Sequence, residues 1–446
     1  MIFFRMCKFS CNAVEWLKNN SLVLSKILKT SKMKVFKFGG ASVKSAEAVR
    51  NVLQILKGYN ENIVVVISAM GKTTNLLETL AKAYFEKSDN KWSVFQKFRN
   101  YHTDISDLLF DKNTPESISI LLTELENKLR IPPSFDFNFE YDQIVSYGEL
   151  VSTRLVSEYL NFAGFTNSWI DIRTCLRTNN KFRDATVDWD LTEKLVQQVL
   201  NFEEEKLYVT QGFIGATKPN LTTTLGREGS DFTAAILGNV LNAEDVSIWK
   251  DVPGVLNADP KKMEGAVKID ELSYREAIEM SYSGAQVIHP KTMKPLHNKG
   301  IPLLVKSFVS PLEKGTVIHE VDHKLQLQPV FIVKENQVLI TISPIDFSFI
   351  SIEDINKVAY LLQENRIKVN LIQQSAIDFN LVVDFPEVDL NPILKKLSEN
   401  YIARYNTDLK LITIRHFNKE ALHKMKKDKK IYLEQNSRLT ARLVVK

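Results

Sequence analysis

Cysteine is scarce in this chain, with Cys7, Cys11 and Cys175 the only three among 446 residues. Three cannot make a disulfide framework, and a chain of this length buries a large core without one, so a reducing cytoplasm is the expected compartment. Long apolar runs are missing as well. The longest, such as Ile63 to Ile67, have the length of a strand, far short of the ~20 residues of a membrane-spanning helix, so no membrane partner is expected. A basic arm interleaved with aromatics is also lacking, which argues against nucleic acid. The net charge of +5 suits an enzyme that handles phosphates without specifying one. No metal-ligand cluster is evident: Cys7 and Cys11 are a lone pair, and His289 and His297 stand at no ligand spacing. Nor is there a Gly-x-Ser-x-Gly nucleophile elbow. Residues 1–32 hold Arg5 and Lys8, but Glu15, Lys18, Asn19 and Asn20 interrupt any apolar core and no Ala-x-Ala site follows, so they do not read as a signal peptide. They are expected to be a poorly ordered extension, with Met33 the functional start.

From Met33 onward the pattern is regular. Lys34 to Phe38 reads as a strand ended by Gly39 and Gly40, and Ala46 to Lys57 has helical spacing at Val49, Leu53 and Leu56. Ile63 to Ile67 is a continuous β-branched run, as in a strand buried on both faces of a parallel sheet. The segment opens β-turn-α-β-α, and strands at Ser168–Ile172, Leu207–Thr210, Val246–Lys250 and Ile301–Lys306 continue an α/β pattern to about residue 310. Helices are read at Glu149–Phe162, Leu191–Phe202 and Asp231–Leu241. Beyond about residue 325 the pattern becomes β-α-β-β-α and then β-α-β-β, a near-repeat of a ferredoxin-like unit that includes a helix around Leu390–Leu397. The boundary is placed between Thr316 and Gln328. The resulting division is an extension (1–32), a catalytic domain (33–320) and two small domains (326–400 and 401–446).

Several segments carry chemistry. Lys37-Phe38-Gly39-Gly40-Ala41-Ser42 lets backbone approach a phosphate, with Lys37 placed to meet transferring oxygens. A Gly-Gly turn alone is ordinary. Gly71-Lys72-Thr73 imitates the end of a Walker A loop, but Val66 stands where that motif needs glycine; Ser68 to Gly71 remains a ligand loop at a strand end. Thr222 to Asp231 is a Gly-punctuated polar loop entering a helix. Arg227 can fork onto a carboxylate or phosphate, and Ser230 or Asp231 is expected to cap the helix. Lys250-Asp251-Val252-Pro253-Gly254 and Asn257-Ala258-Asp259-Pro260 mark two further turns.

Taken together, these segments resemble the aspartate kinase family of the amino-acid kinase fold. The resemblance runs from Met33 to Lys446 and rests on Lys37–Gly40, Ser68–Asn75, Gly148-Glu149, Gln211–Phe213, Thr224–Asp231, Lys250–Gly254 and Gly284–Pro290 in order. It implies a three-layer αβα kinase domain with a mostly parallel sheet, followed by tandem ACT domains. It implies that ATP, with Mg²⁺, phosphorylates the side-chain carboxylate of L-aspartate. Lys37, Asp231 and Arg227 are implied in catalysis. Lys37, Phe38, Gly39, Gly40, Lys250, Asp251, Asn257 and Lys261 are implied at ATP. Ser68, Thr74, Glu149, Phe213, Arg227 and Ser230 are implied at the amino acid, and no protein metal ligand is implied. A homodimer or higher homo-oligomer and an amino-acid effector, lysine or threonine, are further implications. Departures are Ala41, Leu256, Asn370, the Asp346–Ile350 loop, and Gln286 where many members carry a lysine at the nucleotide. Ending at Lys446, the chain is expected to carry no fused homoserine dehydrogenase. Another carboxylate kinase of this fold, or a silent amino-acid sensor, are the competing readings.

Overall fold

A computed structural model describes residues 33–285, 288–323, 325–346, 348–365, 367–385 and 395–446. Expectations that fall on residues 1–32, on Gln286, on Phe347 and on the start of the Leu390–Leu397 helix lie outside the described residues.

The chain forms two compact units, one of residues up to Pro253 plus Lys291–His319, the other of Gly254–Pro290 plus Glu320–Lys446. Strands of the first unit are β1 (Met33–Phe38), β2 (Asn62–Ile67), β3 (Ser168–Ile170), β4 (Leu207–Gln211), β5 (Ile214–Ala216), β6 (Thr222–Thr224) and β7 (Asp245–Lys250). The short strand β8 (Glu271–Ser273) lies in the second unit, while β9 (Leu303–Ser307) and β10 (Thr316–His319) belong to the first.

Within the first unit the sheet order is β3-β4-β2-β1-β7-β9-β10. All neighbours run parallel except β9 and β10. Every residue of β2 is buried, as its unbroken apolar run predicts for a strand covered on both faces. Helices Ala46–Leu56, Thr73–Phe85 and Tyr147–Phe162 pack with β1 and β2 into one core that also holds Phe36, Phe38 and Trp249. Phe38 stacks on Trp249 at 5.8 Å between ring centroids. Such a pair adds about 0.5–1.5 kcal/mol beyond its burial. The Ala46 helix starts where Ser45 accepts the Ala48 N–H at 3.3 Å, an ordinary N-cap.

The helix Gly229–Val240 starts differently. Its N-cap is Glu228, in left-handed backbone at φ +53°, with no side-chain cap. Ser230 and Asp231 fall inside its buried first turn, so neither is the cap expected from the sequence. The physical reason is that Asp231 has another partner, described below.

The second unit carries an antiparallel sheet of β11 (Val330–Pro344), β12 (Val369–Gln374), β13 (Phe379–Asp384), β14 (Tyr401–Arg415), β15 (Ile431–Asn436) and β16 (Thr440–Val445). The order is β12-β13-β11-β14-β16-β15, two β-α-β-β repeats joined through β11 and β14. Helix Ile352–Glu364 covers one repeat and helix Lys419–Lys426 the other. The first of these opens on a capping box between Ser351 and Asp354. Residues 254–290 pack with this sheet. Arg415 forks onto Glu276 of the helix Tyr274–Ser283, with Nε–Oε1 and Nη2–Oε2 both at 2.7 Å. Burial alone would raise the Glu276 carboxyl, but Arg415 and His416 pull it down to about 2.

Candidate active site

Four parallel strands, β4, β2, β1 and β7, end on the same side of the sheet, and their following loops surround a cavity of about 600 Å³. Carboxyl ends of adjacent parallel strands are where open α/β sheets collect ligands. Gly39 and Gly40 follow β1, Ser68 follows β2, Phe213 follows β4, and Lys250 and Asp251 close β7.

The loops after β1 and β2 are in direct contact. The Gly71 N–H donates to the Gly40 carbonyl at 2.9 Å, and the Ser68 N–H to the Phe38 carbonyl at 3.1 Å. A Cβ on Gly40 would lie 2.6 Å from the Ala69 carbonyl and 2.7 Å from that of Gly71, so only glycine fits this crossing. After β4, a Cβ on Gly212 would strike Ser230 at 2.4 Å. That contact seats the start of the Gly229 helix beside the cavity. Phe213, next in sequence, is held at φ +68°, the kind of backbone strain that gathers at ligand sites.

Lys37 and Asp231 form the centre. Lys37 Nζ lies 2.7 Å from Asp231 Oδ1, and both side chains are almost wholly buried. Burial alone would raise the Asp231 carboxyl; the charges of Lys37 and Lys250 outweigh it and hold the group below the usual carboxylate range. Asp231 therefore stays ionised and fixes the Lys37 ammonium at the cavity wall.

Glu149 is the opposite case. It sits in the first turn of the helix Tyr147–Phe162, and its Oε1 accepts the Ala69 N–H at 3.2 Å. Its Oε2 is buried without a protein partner. Burial pushes this carboxyl up to about 8, against the lowering influence of the Ala69 N–H and Lys37. A buried carboxyl with one orphaned oxygen facing a cavity is suited to receive a cation. The same helix ties the β2 loop a second time, since Ser152 Oγ donates to the Ser68 carbonyl at 2.8 Å.

Of the residues expected from the sequence, Lys37, Gly39, Gly40, Ser68, Thr74, Glu149, Phe213, Arg227, Ser230, Asp231, Lys250 and Asp251 line this one cavity. Phe38 does not; its ring is in the core. Asn257 and Lys261 lie in the second unit. There the Asn257 side chain bridges the Val267 N–H at 2.7 Å and the Pro329 carbonyl at 3.2 Å. The Lys261 N–H donates to Asp259 at 2.9 Å. The cavity also takes in Glu78, Tyr141, Arg183 and Trp249, none of which belongs to a motif visible in the sequence. Among the described residues, no three His, Cys, Asp or Glu side chains cluster as metal ligands, and no helix is long and apolar enough to cross a membrane.

A parallel sheet with a Gly-Gly crossing and a buried Lys–Asp pair at its carboxyl edge is suited to hold a phosphate-bearing ligand and neutralise its charge. In keeping with this, residues 32–307 match the amino acid kinase family. The lysine-sensitive aspartokinase 3 of Escherichia coli K12 is 34% identical over 364 residues, covering 79% of each chain. Two solved structures of E. coli aspartokinase III superpose with a TM-score of 0.78 at 29% identity, each covering 93% of this chain and 96% of the other. One is in complex with aspartate and ADP, the other with lysine and aspartate. The chain belongs to the amino acid kinase family and, within it, to the aspartokinases.

Proposed function

We propose that this protein transfers the γ-phosphoryl group of ATP to the β-carboxylate of L-aspartate, giving 4-phospho-L-aspartate and ADP. The observation that carries the reading is the meeting of the Lys37–Asp231 pair, the orphaned acid Glu149 and Arg227 in one cavity. An aspartate β-carboxylate, with an ordinary pKa near ~3.9, is already ionised at neutral pH. One of its oxygens attacks the γ-phosphorus, the bond to the bridging oxygen breaks, and ADP leaves; no general base is required. What the protein supplies is position and charge.

Lys37 neutralises charge on the transferring oxygens, and Asp231 keeps its ammonium aimed. Glu149 receives the substrate ammonium, and Arg227 receives the α-carboxylate. Ser68, Thr74, Phe213 and Ser230 complete that pocket, while Gly39, Gly40, Lys250 and Asp251 serve the nucleotide. Mg²⁺ would enter on the phosphates of ATP and supply charge neutralisation there. The names of the E. coli relatives also support an amino-acid effector, with lysine the first choice; we assign it to the two β-α-β-β repeats, in a homodimer or higher homo-oligomer. ADP release measured with aspartate, ATP and Mg²⁺, together with hydroxylamine trapping of the acyl phosphate, tests the reading. Trapped aspartyl hydroxamate is expected. Faster turnover of glutamate, or no turnover of any acid, would overturn it.

A further inference from the structure

Arg183 belongs to none of the segments that carry the proposed reaction, yet it lines the same cavity. It lies between β3 and β4 in left-handed backbone, φ +70°. A residue with a Cβ persists there only when its surroundings over-determine it. What holds it is Asp142, fully buried on the helix Phe137–Val145. The Arg183 N–H donates to both carboxylate oxygens of Asp142, at 3.2 and 3.0 Å.

The same carboxylate also accepts the N–H and the hydroxyl of Thr224, each at 2.8 Å. Thr224 ends β6 and opens the loop that carries Arg227. Gly226 of that loop is so near that a Cβ on it would lie 3.2 Å from the Arg183 carbonyl. One buried carboxylate thereby sets two adjoining segments in register, each bearing an arginine at the cavity wall. The Arg183 guanidinium lies 4.4 Å from the centre of the Tyr141 ring, and its charge acts on the Asp142 carboxyl without a salt bridge to it. A guanidinium stacked on an aromatic face keeps its edge donors available for a planar anion.

The geometry points to Arg183 as a specificity-determining residue that shares the substrate α-carboxylate with Arg227, and to Asp142 as the positioning residue that holds this two-arginine edge. The inference rests on the carboxylate-kinase reading above and extends it. Steady-state kinetics of Arg183→Gln, Arg183→Lys and Asp142→Asn in the full chain test it. In R183Q the aspartate KM is expected to rise about 10- to 100-fold, as for loss of a charged hydrogen bond. Its ATP KM and thermal midpoint should stay near those of the wild type. R183K keeps the charge but not the fork, so it should fall between. D142N should raise the aspartate KM without a matching fall in kcat; if it fails to fold, the two Arg183 variants decide alone. An aspartate KM in R183Q within twofold of wild type, or equal rises for both substrates, would overturn the assignment. A wild-type protein that turns over no aspartate would sink the carboxylate-kinase reading and this one with it. An active wild type with an unaffected R183Q would sink only this one.

Discussion

Titrating the aspartate KM between pH 6 and 8 puts the assignment of Glu149 at direct risk. Burial pushes its carboxyl up to about 8 in the free site, with Lys37 and the Ala69 N–H opposing that rise. A substrate ammonium needs the carboxylate, so only the ionised fraction of the protein is competent to bind. With a pKa of about 8, that fraction is about 1% at pH 6, about 9% at pH 7 and about one half at pH 8. Raising the pH therefore tightens binding: KM should fall about tenfold from pH 6 to 7 and about fivefold more from 7 to 8. Glu149→Gln removes the titration, and its KM should be high and flat across the range. Calorimetry in two buffers of different ionisation enthalpy should show release of about 0.9 proton per aspartate bound at pH 7. A wild-type KM that is constant over these two units, or a Glu149→Gln variant that keeps the slope, would refute the argument.

Three further outcomes follow from contacts described above. Lys37→Ala should lower kcat by about 10²–10³, roughly 3–4 kcal/mol of transition-state stabilisation, while calorimetric aspartate binding persists; turnover near wild type would remove Lys37 from its role. Gly40→Ala forces the β1 loop away from the β2 loop, whose Ala69 and Gly71 carbonyls would lie 2.6 and 2.7 Å from the new methyl, and kcat/KM for ATP should drop at least about tenfold. Arg415→Ala leaves Glu276 buried without its fork. It should cost about 3 kcal/mol in urea unfolding, with Arg415→Lys in between; an unchanged midpoint would mean that the pair contributes nothing to stability.

The longer parallel strands of the first unit were legible, most clearly where burial is written in composition: the run Ile63–Ile67 has no polar interruption, and β2 is buried throughout, whereas the short β5, β6 and β10 carry no such signal. The loops that form the cavity were legible because close backbone approach demands glycine, as at Gly40. The start of the Gly229 helix was misplaced for a physical reason. Serine and aspartate are favoured caps, but Asp231 is committed to Lys37, and a left-handed Glu228 opens the helix instead. Asp142 and Arg183 left no trace, since nothing in a short mixed helix or a polar loop announces a hydrogen bond across 41 positions. Apolar alternation marks only Val338–Ser343 of β11 and Leu409–Arg415 of β14, because Glu335–Asn336 and Arg404–Asp408 interrupt it. Each actually runs for 15. Asn257 and Lys261 follow the β7 loop closely in sequence, yet their local turns fold with the C-terminal sheet.

That placement bears on how the chain is made and on what pieces of it can stand alone. The polypeptide passes from one unit to the other at Pro253, back at Lys291 and over again at Glu320, so no single cleavage separates them. A nascent chain that has emerged only as far as residue 320 displays Glu276 with its counter-charge, Arg415, still to be synthesised. Its residues 254–290 must wait for about a hundred more before the sheet they pack on exists. Proteolytic nicking near residue 320 should therefore leave both fragments associated rather than release a free N-terminal half. Swapping the C-terminal unit between relatives would require exchanging two stretches of sequence together.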